Sequence, residues 1–98
     1  MRGSLTDIVS IWSLAKFQAG DFATAAKGFD FLVSPEARRG LSASTPYIWV
    51  MRGRTYARLG QKEEARKSYQ KCFDIWKDAD PDVPLLLQAR EEFAKLTS

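Results

Sequence analysis

Residues 46–77 read PYIWVMRGRTYARLGQKEEARKSYQKCFDIWK. Trp49, Gly53 and Tyr56 share one helical stripe, since residues four and seven apart return to the same face. Gly60 ends that helix at about Leu59. Ala65, Tyr69, Cys72, Phe73 and Trp76 form the stripe of a second helix, from about Lys62 to Asp78. Small side chains at Gly53 and Ala65 let the two helices cross closely, while the aromatic residues fill the space around the contact. Glu63 and Glu64 stand at the positive end of the second helix, and Lys67, four residues after Glu63, adds a favourable pair. The stretch is therefore predicted to be a helical hairpin.

Toward the N-terminus the pattern repeats. Ser4 and Asp7 make a capping-box-like start to a helix over Leu5 to Ala19. Its apolar stripe is read as Ile8, Val9, Ile11, Trp12, Ala15 and Ala19, with Trp12 in the core. Gly20 ends it. Asp21 caps a second helix with Phe22, Ala25, Ala26, Phe29, Leu32 and Val33 inward, and Pro35 stops it. Ser34 to Thr45 reads as an exposed loop with Arg38 and Arg39, and Thr45-Pro46 as a clean helix start. Toward the C-terminus, Asp78 to Asp82 breaks the pattern. Asp82 caps a fifth helix with Pro84 in its first turn. Leu86, Ala89, Arg90, Phe93 and Leu96 follow at helical spacing, with Glu91, Glu92 and Lys95 outside. No stretch reads as strand.

Composition narrows the possible jobs. Ninety-eight residues suit one domain, and three Trp, three Tyr and six Phe suffice for its core. No histidine is present, which removes the commonest general base and metal ligand. The single cysteine precludes an internal disulfide or a Cys-based zinc site, and fits a reducing, cytoplasmic setting. Cys72 faces inward and reads as an inert small residue. With no Gly-rich phosphate loop either, neither a cofactor nor an enzyme is expected. Asp74, Asp78, Asp80 and Asp82 lack the glycine and terminal glutamate of a calcium loop. No apolar run is long enough to span a membrane. The net charge of +3 permits acidic partners. Nucleic-acid binding by Arg38, Arg39, Arg52, Arg54 and Arg58 is a weak case, because the aromatics sit in helix cores and form no exposed stacking platform.

Two helix-turn-helix units invite a search for a period. Gly20-Asp21-Phe22, Ala25 and Phe29 align with Gly60-Gln61-Lys62, Ala65 and Tyr69 at an offset of 40 residues. Trp49, Gly53, Tyr56, Gly60, Ala65 and Tyr69 together resemble the tetratricopeptide repeat, with Arg52 where leucine is usual and Cys72 where a small residue is usual. Pro81 lies about one turn late for the family, which implies a longer fourth helix. The first unit is degenerate: Val9, Trp12, Ser13 and Lys16 replace the usual Trp, Leu, Gly and Tyr. The tail from Trp76 to Leu85, with Ala89 to Leu96, is similar to the end of tetratricopeptide regions in some bacterial proteins, where they often follow a kinase or DNA-binding domain. That likeness implies a C-terminal fragment or a free-standing cousin.

The resemblance implies an all-α superhelix spanning residues 5–97 as one domain. It comprises a degenerate first repeat (5–33), a loop (34–45), a second repeat (46–78) and a capping helix (82–97). It also implies a non-catalytic scaffold that grips a protein or peptide in a concave face. Carried over position by position, that face holds Asp7, Ser10, Leu14, Phe17 and Gln18 from the first unit. The second unit contributes Tyr47, Val50, Arg54, Ala57 and Arg58. Arg54 and Arg58 are four apart and share a face, able to fork-bind carboxylates or a phosphate; the alternative is a solvated basic face. Leu14, Phe17 and Tyr47 supply an apolar floor. Chaperone-tail-binding members carry lysine and asparagine where Ser10 and Leu14 stand, so that ligand is excluded. Because two repeats make a short groove, the fifth helix or a second copy of the chain is the alternative occupant, the latter giving a homodimer.

Overall fold

Glycine sets the two tight turns. Gly20 and Gly60 have φ of +87° and +79°, the left-handed region that glycine enters without a Cβ penalty. At each, the chain closes the preceding helix in the same way. The Gly20 N–H donates to the Phe17 carbonyl at 3.0 Å and the Asp21 N–H to Lys16 at 2.9 Å. The Gly60 N–H donates to Ala57 at 3.1 Å and Gln61 to Tyr56 at 2.9 Å. This pair of bonds satisfies carbonyls that the helix end would leave orphaned. The Asp21 carboxylate then accepts from the Thr24 N–H at 3.2 Å and caps the next helix.

The computed structural model describes residues 5–34, 45–76 and 83–97. They form five helices: α1 (Leu5–Gln18), α2 (Phe22–Leu32), α3 (Thr45–Arg58), α4 (Lys62–Ile75) and α5 (Pro84–Thr97). No strand occurs among the described residues. The Ser4 cap, the loop residues 35–44 and the Asp78 to Asp82 turn with its cap lie outside them. Helix α4 stops at Ile75, where the Trp76 N–H donates back to the Cys72 carbonyl at 3.0 Å. Its expected extension through Lys77 and Asp78 lies outside the described residues.

Helices α1 and α2 form one hairpin, α3 and α4 the next, and α2 packs against α3. The first core joins Ala25, Phe29 and Leu32 of α2 to Ile48 and Met51 of α3. The second joins Trp49, Val50, Ala65, Tyr69, Cys72 and Ala89. Val33 packs against both, so apolar burial runs from one hairpin into the other. Helix α5 adds Ala89 and the Phe93 ring, which meets Phe73 and Tyr69 edge-to-face at 5.5 and 6.4 Å.

Small residues set both helix crossings. A Cβ on Gly28 would lie 1.8 Å from the Ser13 Oγ, and one on Gly53 2.9 Å from the Tyr69 ring. At the offset of 40, Ser13 and Gly28 correspond to Gly53 and Ser68. Each hairpin therefore has one glycine and one serine at this pair of positions, with the roles exchanged, and all four are buried. Ser13 directs its hydroxyl to its own helix, donating to the Val9 carbonyl at 2.7 Å.

This crossing overturns the reading of α1. Val9, Ser13, Leu14 and Phe17 turn inward, while Ile8, Ile11 and Trp12 are 60%, 70% and 43% exposed. Trp12 is not a core residue. The crossing needs a small side chain against Gly28, and Ser13 supplies it, which turns the neighbouring indole toward the rim. The i,i+4 pairing of Glu63 with Lys67 is also replaced: Glu63 pairs with Arg66, and Lys67 with Glu64 at 3.6 Å.

Arg52, which departs from the family's leucine, ties three helices. Its Nε donates to Asp30 Oδ1 of α2 at 2.9 Å, and its two terminal nitrogens reach Ser68 Oγ at 2.6 Å and Glu64 Oε1 at 3.1 Å on α4. Tyr56 donates its hydroxyl to the other Asp30 oxygen at 2.7 Å, and the guanidinium lies 4.6 Å from the Tyr56 ring centre.

Cys72 is free and wholly buried, and desolvation pushes its thiol up to about 11. A thiol reagent at mildly alkaline pH is expected to label the native chain on the order of 10²-fold more slowly than the unfolded chain, because only the thiolate reacts. Equal rates would mean that the second core is open.

Candidate functional site

A cavity of about 490 Å³ is bounded by Phe17 of α1, Arg54, Ala57 and Arg58 of α3, Tyr69 of α4, and Glu92, Lys95 and Leu96 of α5. Phe17 reaches it because α1 ends nearby in the Gly20 turn, where its ring packs edge-to-face on Phe22 at 5.2 Å. Arg58 ends α3, and its guanidinium lies 5.6 Å from the Phe22 ring centre. Aromatic rings thus seat one wall of the cavity and hold a cation against it.

Helix α5 fills the other end. Arg54 Nε donates to both Glu92 oxygens at 2.9 and 3.1 Å, and Arg54 Nη2 donates to Gln88 Oε1 at 3.1 Å. Tyr69 donates its hydroxyl to Glu92 Oε1 at 2.5 Å. The carboxylate therefore accepts from a guanidinium and a phenol together. The hydrogen bond donated to Glu92 holds Arg54 in its charged form against the opposing effect of burial. Burial first, and Glu92 second, push the Tyr69 phenol above its ordinary range. This cluster latches α5 to the α3–α4 hairpin.

The sequence-predicted groove residues divide accordingly. Phe17, Arg54 and Arg58 come together around the cavity, joined by Ala57. Leu14 packs under the first core. Gln18 and Tyr47 are exposed and do not line the cavity. Val50 is wholly buried in the second core, which also holds Ala89 of α5, and offers a partner no surface. Arg54 is committed to Glu92, so the basic pair read on α3 presents one arginine paired within the chain and one held over a ring. Of the arginines considered for phosphate contact, Arg52 is also paired internally, and Arg38 and Arg39 lie outside the described residues.

Tyr69, Glu92, Lys95 and Leu96 were missed as lining residues. Glu92 and Lys95 read as the outer face of a capping helix. One signal was present: Gln88 and Glu92 are four apart and so share one face of α5, and both accept from Arg54.

Residues 46–75 match the family model described as tetratricopeptide repeat. No curated protein and no solved structure matches the chain. No helix among the described residues is long and apolar enough to cross a membrane.

Proposed function

We propose that the chain, whose residues 46–75 match the tetratricopeptide repeat, binds a short acidic segment of a partner protein in this cavity. Repeats of this family are generally protein–protein interaction modules and typically non-catalytic. The observation that carries the finer reading is the seat of Glu92. Its carboxylate lies on Arg54 and Tyr69 beside an apolar floor of Phe17, Ala57 and Leu96. That arrangement is a carboxylate-binding site filled from within the chain. Arg58, held over Phe22 at the open end, offers a partner's carboxylate the same charge-assisted bonding. The cavity volume suits a few side chains, since pockets of roughly 300–1,000 Å³ hold small ligands. Helix α5 thus restricts the groove to a short segment.

Titration of the full chain with a leucine-flanked oligoglutamate peptide, against its glutamine counterpart, tests this. The glutamate peptide is expected to bind more tightly, and less so as salt rises. Arg58→Glu is expected to weaken it by at least about tenfold, the scale of one charge-assisted bond. Glu92→Gln, which removes the competing charge, is expected to tighten it. Equal binding of the two peptides, or indifference to Arg58→Glu, contradicts the proposal.

A further inference from the structure

The exposed apolar stripe of α1 lies away from the cavity, and the internal repeat says what it fits. Shifted by 40 residues, Ile8 and Ile11 of α1 become Ile48 and Met51 of α3. Ile48 and Met51 are 2% and 4% exposed because the α2 face of Ala25, Phe29 and Leu32 covers them. Ile8 and Ile11 are 60% and 70% exposed. Helix α5 follows the buried pattern, with Leu86 and Ala89 three residues apart and 2% and 0% exposed. Helices α3 and α5 thus each bury two apolar residues at this spacing. Helix α1 carries the same two positions, flanked by Trp12 and Ala15, with no described helix on them.

We propose that this α1 face docks the second helix of another repeat hairpin, one presenting a small, an aromatic and an aliphatic residue at the spacing of Ala25, Phe29 and Leu32. A second copy of this chain does not offer such a helix: α2 is covered by α3, and α4 by α5. The surface is distinct from the cavity, so this inference stands or falls independently of peptide binding there.

The test prepends residues 1–40 to the intact chain, which places Leu5 at the position of Thr45 relative to the added α2. The extended chain, with Trp12→Phe in the added copy, is expected to melt at least about 5 °C above the natural one, with the Trp12 of the natural segment shielded from a soluble quencher. Ile11→Glu in the natural segment is expected to leave the natural chain nearly unchanged, as exposed substitutions do, and to abolish the gain in the extended chain. An unmoved melting temperature with Trp12 still accessible overturns the proposal. So does a natural chain that dimerises through this face and is made monomeric by Ile11→Glu. Should the extended chain aggregate, a peptide of residues 21–34 is titrated into the natural chain instead. NMR shifts at Ile8, Ile11 and Trp12 that Ile11→Glu removes support docking; no shift at millimolar peptide overturns it.

Discussion

Gly53→Val is expected to destabilise the chain by about 3 kcal/mol, the upper range for forcing extra carbons into a packed core. The first added carbon would already stand 2.9 Å from Tyr69 Cε2 and 3.1 Å from two further ring atoms. The ring has little freedom to yield. Tyr69 is 1% exposed, its hydroxyl is held by Glu92, and its edge meets Phe93. Gly53→Ala introduces the same first clash but recovers about 1 kcal/mol of helix propensity, so its net cost is smaller. The melting temperature of the valine variant should fall by more than about 10 °C, given roughly 4–8 °C per kcal/mol in a domain of this size. A double-mutant cycle locates the cause: Tyr69→Ala, costly alone, should remove most of the added penalty of Gly53→Val. Additive costs would place the close approach elsewhere.

Arg52→Ala is expected to cost about 2 kcal/mol, near the value of a hydrogen-bonded charge, with the penalty moderated because its partners reach water. The Arg52 side chain is 13% exposed, but those of Asp30 and Glu64 are 46% and 38% exposed and can rehydrate. Arg52→Leu should cost less than alanine, because an apolar side chain keeps part of the packing on Trp49 and Tyr56. The hydrogen bond from Arg52 holds the Glu64 carboxyl below its ordinary range. A depressed folded value contributes stability above the unfolded value, about 4.3 for glutamate, and loses it as pH falls through the folded value. The stability gap between the natural chain and Arg52→Leu should therefore narrow on acidification in that window. A gap that is constant with pH would show that the Arg52–Glu64 pair makes no difference in solution.

The hairpins were legible because glycine and aromatic residues punctuate them redundantly. Gly20 and Gly60 announce turns that require positive φ, and the offset of 40 between them exposes the repeat. The rotation of α1 was not legible, because that helix is apolar on two sides. Leu14 and Phe17 compete with Ile8, Ile11 and Trp12 for the core, and periodicity cannot choose between them. The choice falls to Gly28 and Ser13, which only three-dimensional approach makes partners. Similar reasoning divides the groove. Phe17, Arg54 and Arg58 were readable from the resemblance to the tetratricopeptide repeat, carried over position by position onto α1 and α3. The burial of Val50 and the neutralisation of Arg54 depend on where α5 lands, and its Glu92 looked like a solvated acid.

On the proposed function, a partner's acidic segment is read in the cavity that α5 leaves open. NMR titration of the isotopically labelled full chain with the oligoglutamate peptide tests it most directly. The expected result is saturable shifts concentrated at Phe17, Ala57, Arg58 and Leu96, with the Arg54 and Tyr69 signals following as Glu92 is displaced. Shifts confined to Ile8, Ile11 and Trp12, or an unperturbed cavity at saturating peptide, would contradict it.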